Sequence, residues 1–184
     1  MKMQKSYLFS LLALIVILGG LAACSSNDAA QKRDLEIANL ARYVKENNLV
    51  ALPTDTIGGV KYYFTEQQAG HGDSIRYKDN VMVYYSAHLV DGTIFSSTGV
   101  YDPLVIYEAL NYSSQVPNGL IEILHRRMKT GSKARIVIPS SLAWSMNGHT
   151  ISSYGLFLAS VPAYSTVIYD IEVYRVYREG ELVN

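Results

Sequence analysis

Cysteine occurs once in this chain of 184 residues, tryptophan once and phenylalanine four times. A single cysteine excludes an internal disulfide. Neither sign of charge is in excess, with 16 basic residues against 16 acidic ones. Without a basic stripe to collect phosphates, nucleic acid is not an expected partner. His71, His88, His125 and His149 lack metal-ligand spacing and read as surface residues. Gly58-Gly59 lacks the wider glycine pattern of a phosphate loop, and no Gly-x-Ser-x-Gly elbow is present. No metal, cofactor or covalent nucleophile is therefore expected. What the chain does have is tyrosine, 15 copies, within a hydrophobic fraction of 49%. That suffices for the core of one domain plus accessories. Tyrosine packs well on a half-buried sheet and keeps a polar handle, so the composition points to β structure.

The one long apolar run is at the start. Lys2 and Lys5 precede an apolar stretch from Tyr7 to Leu18, followed by Leu21-Ala-Ala-Cys24. The run falls short of the roughly 20 residues of a comfortable membrane span and reads as a targeting segment. Small residues before a lone cysteine resemble the bacterial lipoprotein processing box. The resemblance implies a signal peptide over 1–23, cleavage before Cys24 and lipidation there. The mature chain would be held on the membrane by its acyl chains, in the bacterial cell envelope and outside the cytoplasm. Loss of Lys2 and Lys5 leaves 14 basic against 16 acidic residues, so charge would not supply the attachment.

Residues 24–31 read as a small, polar tether. Residues 32–59 read as a helix and a connection: Leu35, Ala38, Ala41 and Val44 recur at helical spacing, with Ile37 and Leu40 beside them and Glu36 off the stripe. Asn47-Asn48 is the stop. Strands are predicted at Val60–Thr65, Val81–Leu89, Thr93–Ser97, Lys133–Ile138 and Thr166–Tyr177, with a hairpin turn at Asp91-Gly92. Gly119–Met128 reads as a helix, Tyr112–Asn118 as a turn, and Ser145–Ser160 as a long loop. The pattern is that of an α+β domain, an antiparallel sheet closing on a short helix with an extra helix before it.

Four motifs lie in order: Tyr85, Asp91-Gly92 and Phe95; Met128, Gly131 and Ala134; Ile138-Pro139 with Leu142-Ala143-Trp144; and Pro162, Ser165-Thr166 and Tyr169. Together they resemble the FKBP-type peptidyl-prolyl cis-trans isomerases over roughly Val60 to Val176, giving a domain over 60–178. The resemblance implies that Tyr85, Phe95, Trp144, Val161 and Tyr169 line a pocket for a proline ring in proline-containing polypeptide segments. Rotation about an X-Pro bond crosses a barrier of about 18–20 kcal/mol, because twisting destroys amide resonance. A planar amide is more polar than a twisted one, so a dry aromatic pocket lowers the barrier, helped by oriented hydrogen bonds.

The departures bear on activity. Ser96 stands where the family has an acidic residue after the phenylalanine, and Trp144 where it has a pocket tyrosine. The floor is aliphatic. Anchoring on Gly119 makes Leu120 the floor and puts Pro117, which has no N–H, where the family grips the substrate carbonyl. Anchoring on Met128 makes Ile121 the floor and leaves Asn118 to supply the donor. The leading expectation is a lipid-anchored prolyl isomerase or folding factor of weakened activity. The alternatives are a non-catalytic binding module of the same fold and a structural envelope lipoprotein. The partner protein is not readable.

Overall fold

The computed structural model describes residues 28–76, 78–99, 101–106, 116–153, 156–181 and 183. The stretch read as a signal segment and Cys24 lie outside the described residues, as does the whole of 107–115. Among the described residues no helix is long and apolar enough to cross a membrane.

The first element, α1, covers residues 28–46, so helix is already present at Asp28, ahead of Lys32. It stops as Asn47-Asn48 predicts. Asn48 takes a left-handed φ of 51°, Leu49 N–H donates to the Val44 carbonyl and Asn48 N–H to that of Lys45. This is the two-bond closure common at helix ends, where asparagine tolerates the left-handed position. Next come β1 (Thr56–Ile57), β2 (Val60–Lys61), β3 (Tyr63–Gln68), β4 (Asn80–Leu89), β5 (Ile94–Ser97) and β6 (Leu104–Ile106). They are followed by α2 (Asn118–Arg127), β7 (Lys133–Ile138), β8 (His149–Ser153), β9 (Leu156–Val161) and β10 (Val167–Tyr177). The main sheet runs β3-β7-β10-β4-β5, with β6 also paired to β4. All its pairings are antiparallel.

The strict alternation in β10 puts Val167, Tyr169, Ile171 and Val173 on the inner face, each no more than 3% exposed. A register shift past Val173 resets the alternation, which exposes Tyr174 and buries Val176 and Tyr177. Against the inner face lies α2, buried along Gly119, Leu120, Ile121, Ile123 and Leu124. Pro117 precedes its first turn without a side-chain cap, and His125, Arg126 and Arg127 occupy its last turn, where cations complement the helix dipole. Arg127 pairs with Asp55, which is fully buried, and its guanidinium lies 4.4 Å from the Phe64 ring centre. The small β1–β2 hairpin is thus locked to the end of α2.

The outer face is different. Val137 and Ile168 pair across β7 and β10 and, by alternation, point away from α2, yet both are buried. They are covered by α1. Glu36 bonds to Ser140 and Thr166 just beyond one end of this pair, and Tyr43, two helical turns on, interacts with Arg135 at the other. The docked side of α1 shares only Leu40 and Val44 with the predicted stripe: these are half-buried with Glu36, Asn39 and Tyr43, whereas Ala38 and Ala41 are exposed and Leu35 and Ile37 are 62% and 58% exposed. The side that docks is the one that carries Glu36 to its three donors and half-buries Leu40, Tyr43 and Val44.

Two other expectations change. Residues 145–160 are not a patternless loop but a 3-10 turn followed by the β8–β9 hairpin. The strand expected over Val60–Thr65 is split by Tyr62, which is fully buried.

Candidate functional site

The predicted pocket residues come from six parts of the fold. Tyr85 lies on β4, Phe95 and Ser96 on β5, Leu120 and Ile121 on the first turns of α2, and Tyr169 on β10. Trp144 follows a 3-10 turn at Ser140–Leu142, and Val161 ends β9.

The turn between β4 and β5 sets the geometry. Gly92 has φ of 88°, a conformation open mainly to glycine. Its N–H donates to the Leu89 carbonyl, and Leu89 N–H to that of Thr93. Asp91 accepts the Thr93 N–H, which holds its carboxyl below the usual range. In the returning strand Ala87 faces Ser96 and His88 faces Ile94, so Phe95 is the extra residue of a bulge. A bulge re-aims one side chain. Here it sends Phe95 inward at 6% exposure while Ile94 stays 63% exposed.

Four aromatic rings converge on this point. Tyr85 and Tyr169 have ring centres 5.6 Å apart. Phe95 meets Trp144 edge-on at 6.0 Å and Tyr169 edge-on at 6.2 Å. Such tilted and edge-to-face contacts suit aromatic quadrupoles. Leu120, Ile121 and Val161 belong to the same apolar cluster as Phe95 and Tyr169, with Tyr85 and Trp144 packed against it. Ser96 also joins the site, through a 2.8 Å hydrogen bond between its Oγ and the Tyr85 hydroxyl. Ring contacts and the Ser96 bond thus join Tyr85, Phe95, Ser96, Trp144 and Tyr169 directly, while Leu120, Ile121 and Val161 share the apolar core with them. They are not equally accessible: Leu120 and Tyr169 are sealed at 0% and 1%, and the reachable surface is formed by half-buried Tyr85, Ser96 and Trp144.

Leu120 and Ile121 are both buried, the latter at 3%, so burial does not separate the two floor registers. Pro117 stands at the helix entry, its carbonyl accepting the Leu120 N–H. The first N–H after it belongs to Asn118, which is exposed. Gly119 is required by proximity: a Cβ there would come within 2.5 Å of the Leu142 carbonyl oxygen. The helix start and the turn carrying Trp144 are nested at this contact.

His149 was missed by the sequence reading, which took it for a surface residue. Its ring stacks on Trp144 at 4.4 Å and 4°. Its only signal was its place five residues after the tryptophan, within a stretch that showed no periodicity. Burial pulls its pKa down from 6.5, and burial pushes that of Tyr169 well above 10.0, reinforced by Tyr85. The walls are thus kept neutral. His88 differs too: its Nε2 lies 3.5 Å from Asp170 and its side chain is 17% exposed. Asp170 takes a bidentate pair from Arg135 at 2.7 and 2.8 Å. Burial opposes its ionisation, and Arg135 outweighs that to hold its carboxyl below the usual range.

What the arrangement offers is a partly exposed aromatic surface with one hydroxyl pair at its edge, which is suited to an apolar ring and an uncharged amide. Comparisons with known proteins agree with that chemistry. The sequence profile described as FKBP-type peptidyl-prolyl cis-trans isomerase matches residues 72–174, more than half of the chain. Peptidyl-prolyl cis-trans isomerase FKBP11 of Bos taurus is 36% identical over 100 residues, covering 54% of this chain and 43% of that protein. The FKBP-type 22 kDa peptidyl-prolyl cis-trans isomerase of Escherichia coli (strain K12) is 28% identical over 135 residues, covering 73% of this chain and 58% of that one. This chain thus spans about half the length of these curated relatives. Among solved structures, FkpA from Escherichia coli superposes with a TM-score of 0.63 at 22% identity, covering 97% of this chain and 75% of that one. At that identity the likeness is one of fold.

Proposed function

Because this chain belongs to the FKBP-type peptidyl-prolyl cis-trans isomerase family, we propose that it isomerises X-Pro bonds in proline-containing polypeptides. The observation that carries the reading is the run of rings Tyr85–Tyr169–Phe95–Trp144, each with its centre 5.6 to 6.2 Å from the next. A proline ring set on Tyr85 and Trp144 would leave water on one side only. Desolvation raises the polar planar amide more than the twisted one, which lowers the barrier without a nucleophile. The Tyr85 hydroxyl, oriented by Ser96, is the polar group best placed to follow the carbonyl as it turns. Asn118 takes the role of backbone donor that Pro117 cannot fill.

Activity is weakened in this reading. Serine at 96 brings no charge to the site, and the floor of Leu120 and Ile121 is aliphatic. The same features favour a second reading, a peptide-binding module of this fold that does not turn over substrate. The chain acts outside the cytoplasm, held to the membrane through lipid on Cys24. Residues 1–23 serve as signal peptide, a short tether leads into α1 and its connection, and the isomerase domain covers 60–178.

The deciding experiment is a tetrapeptide X-Pro isomerase assay. Weak catalysis is expected, reduced further by Tyr169→Ala and raised by Ser96→Asp. No catalysis at high protein concentration, together with a Trp144 emission change on adding a proline peptide, selects the binding module. No response of either kind removes both readings. Fatty-acid labelling tests the anchor, which is wrong if Cys24→Ala leaves the labelling undiminished.

A further inference from the structure

We infer that Glu36, on a helix outside the isomerase domain, is a positioning residue for the Trp144 wall of the pocket. The inference rests on the functional reading above. Both oxygens of the Glu36 carboxylate are engaged. One accepts the Ser140 N–H at 2.7 Å and the Thr166 hydroxyl at 3.0 Å; the other accepts the Ser140 hydroxyl at 2.6 Å. Ser140 and Thr166 are buried, at 4% and 3% exposure. Burying these polar groups without a partner would be costly, so the bonds fix where both segments run.

Those segments are the two that build the wall. Ser140 opens the 3-10 turn whose next residues are Ser141, Leu142, Ala143 and Trp144. Thr166 closes the connection from Val161 and stands three residues before Tyr169. A second tie links the segments, since Tyr164 N–H donates to the Ser145 carbonyl at 2.8 Å. Helix α1 adds a further hold there, with the Arg33 guanidinium 5.8 Å from the Tyr164 ring centre. One carboxylate therefore spans two segments that are separate in sequence, and its removal loosens the turn that carries Trp144.

The test uses the full-length chain in detergent, with wild type, Glu36→Ala, Glu36→Gln and, as a control on the same helix, Tyr43→Phe. For each, the melting temperature, the emission and acrylamide quenching of Trp144, and kcat and KM on an X-Pro tetrapeptide are measured. Trp144 is the only tryptophan, so its signal reports the wall directly. Glu36→Ala should red-shift the emission, increase the quenching and lower kcat/KM by about three- to tenfold, with Glu36→Gln returning part of the way and Tyr43→Phe remaining at wild type in all three. If Glu36→Ala fails to fold, Glu36→Gln is read against wild type in its place. The inference is overturned if the Glu36 variants change only the melting temperature, or if Tyr43→Phe moves the Trp144 signal as far as Glu36→Ala does. Should wild type turn over no peptide, the isomerase reading falls while the Trp144 emission and quenching still decide the role of Glu36.

Discussion

The two α-helices among the described residues sit on opposite faces of one sheet and are held there by different physics. Five consecutive or near-consecutive residues of α2 are buried against the inner face, and its last turn is tied down by the Arg127–Asp55 pair. On the outer face α1 shows Leu35 and Ile37 to solvent and engages the sheet through Glu36 and Tyr43. Burial against the inner face is spread over many atoms and tolerates no single large loss cheaply. Attachment at the outer face combines a few directional bonds with a smaller apolar contact, in which Leu40, Tyr43 and Val44 are only half-buried. The inner helix is thus part of the folding unit, and the outer one is a fixture on it.

The largest effect that would sharpen this contrast is expected from Arg127→Met. Asp55 is fully buried, and stranding its carboxylate should cost about 3–5 kcal/mol, visible as a lower urea midpoint. A loss under 1 kcal/mol would mean that the end of α2 is held by packing alone. Next comes Leu120→Ala, which removes a fully enclosed side chain and should cost about 2–5 kcal/mol. It should also depress any turnover, because the cavity opens beneath the pocket.

A smaller effect concerns pH. Folded His149 is pulled below 6.5 by burial, so the unfolded chain binds its proton more readily. The stability this supplies is present above pH 6.5 and is lost as pH falls through the lowered folded value. Trp144 emission should drop over that same window and stay flat in His149→Phe; parallel titrations of the two proteins would break the stacking assignment. The smallest effect should come from Leu35→Ala on the exposed side of α1, within about 0.5 kcal/mol. A larger loss would put that side of α1 in a buried contact and undo the contrast between the helices.

Much of the inner half was legible in the sequence. Lys133–Ile136 and Tyr169–Val173 alternate, broken only where Val137 and Ile168 are also buried on the outer face, and Asp91-Gly92 gives its turn away by residue type. The β8–β9 hairpin was not legible because its register shifts between Ile151 and Ser152, which destroys a period of two where small polar residues already blur it. The side on which α1 docks was hidden for another reason. Apolar spacing reports which side could be buried, and here the side that docks is the one that carries Glu36 to three distant donors. Tyr85, Phe95, Trp144 and Tyr169 were picked out by the order of their motifs, and the structure links them ring to ring. The bulge that aims Phe95 and the stacking of His149 were not legible, since each depends on a partner strand or ring distant in sequence or on an unrecognised hairpin.

The nesting of Gly119 against Leu142 has a consequence for how this pocket can change over time. With 2.5 Å between a notional Cβ and the Leu142 carbonyl oxygen, floor and wall have no slack between them. A substitution that enlarges residue 119 must displace the turn leading to Trp144, and a shift of that turn opens a gap beside Leu120. Floor and wall are inherited as one part. A lineage altering the width of this pocket would have to change both sides together, and substitutions near 119 and 142 should be found in pairs.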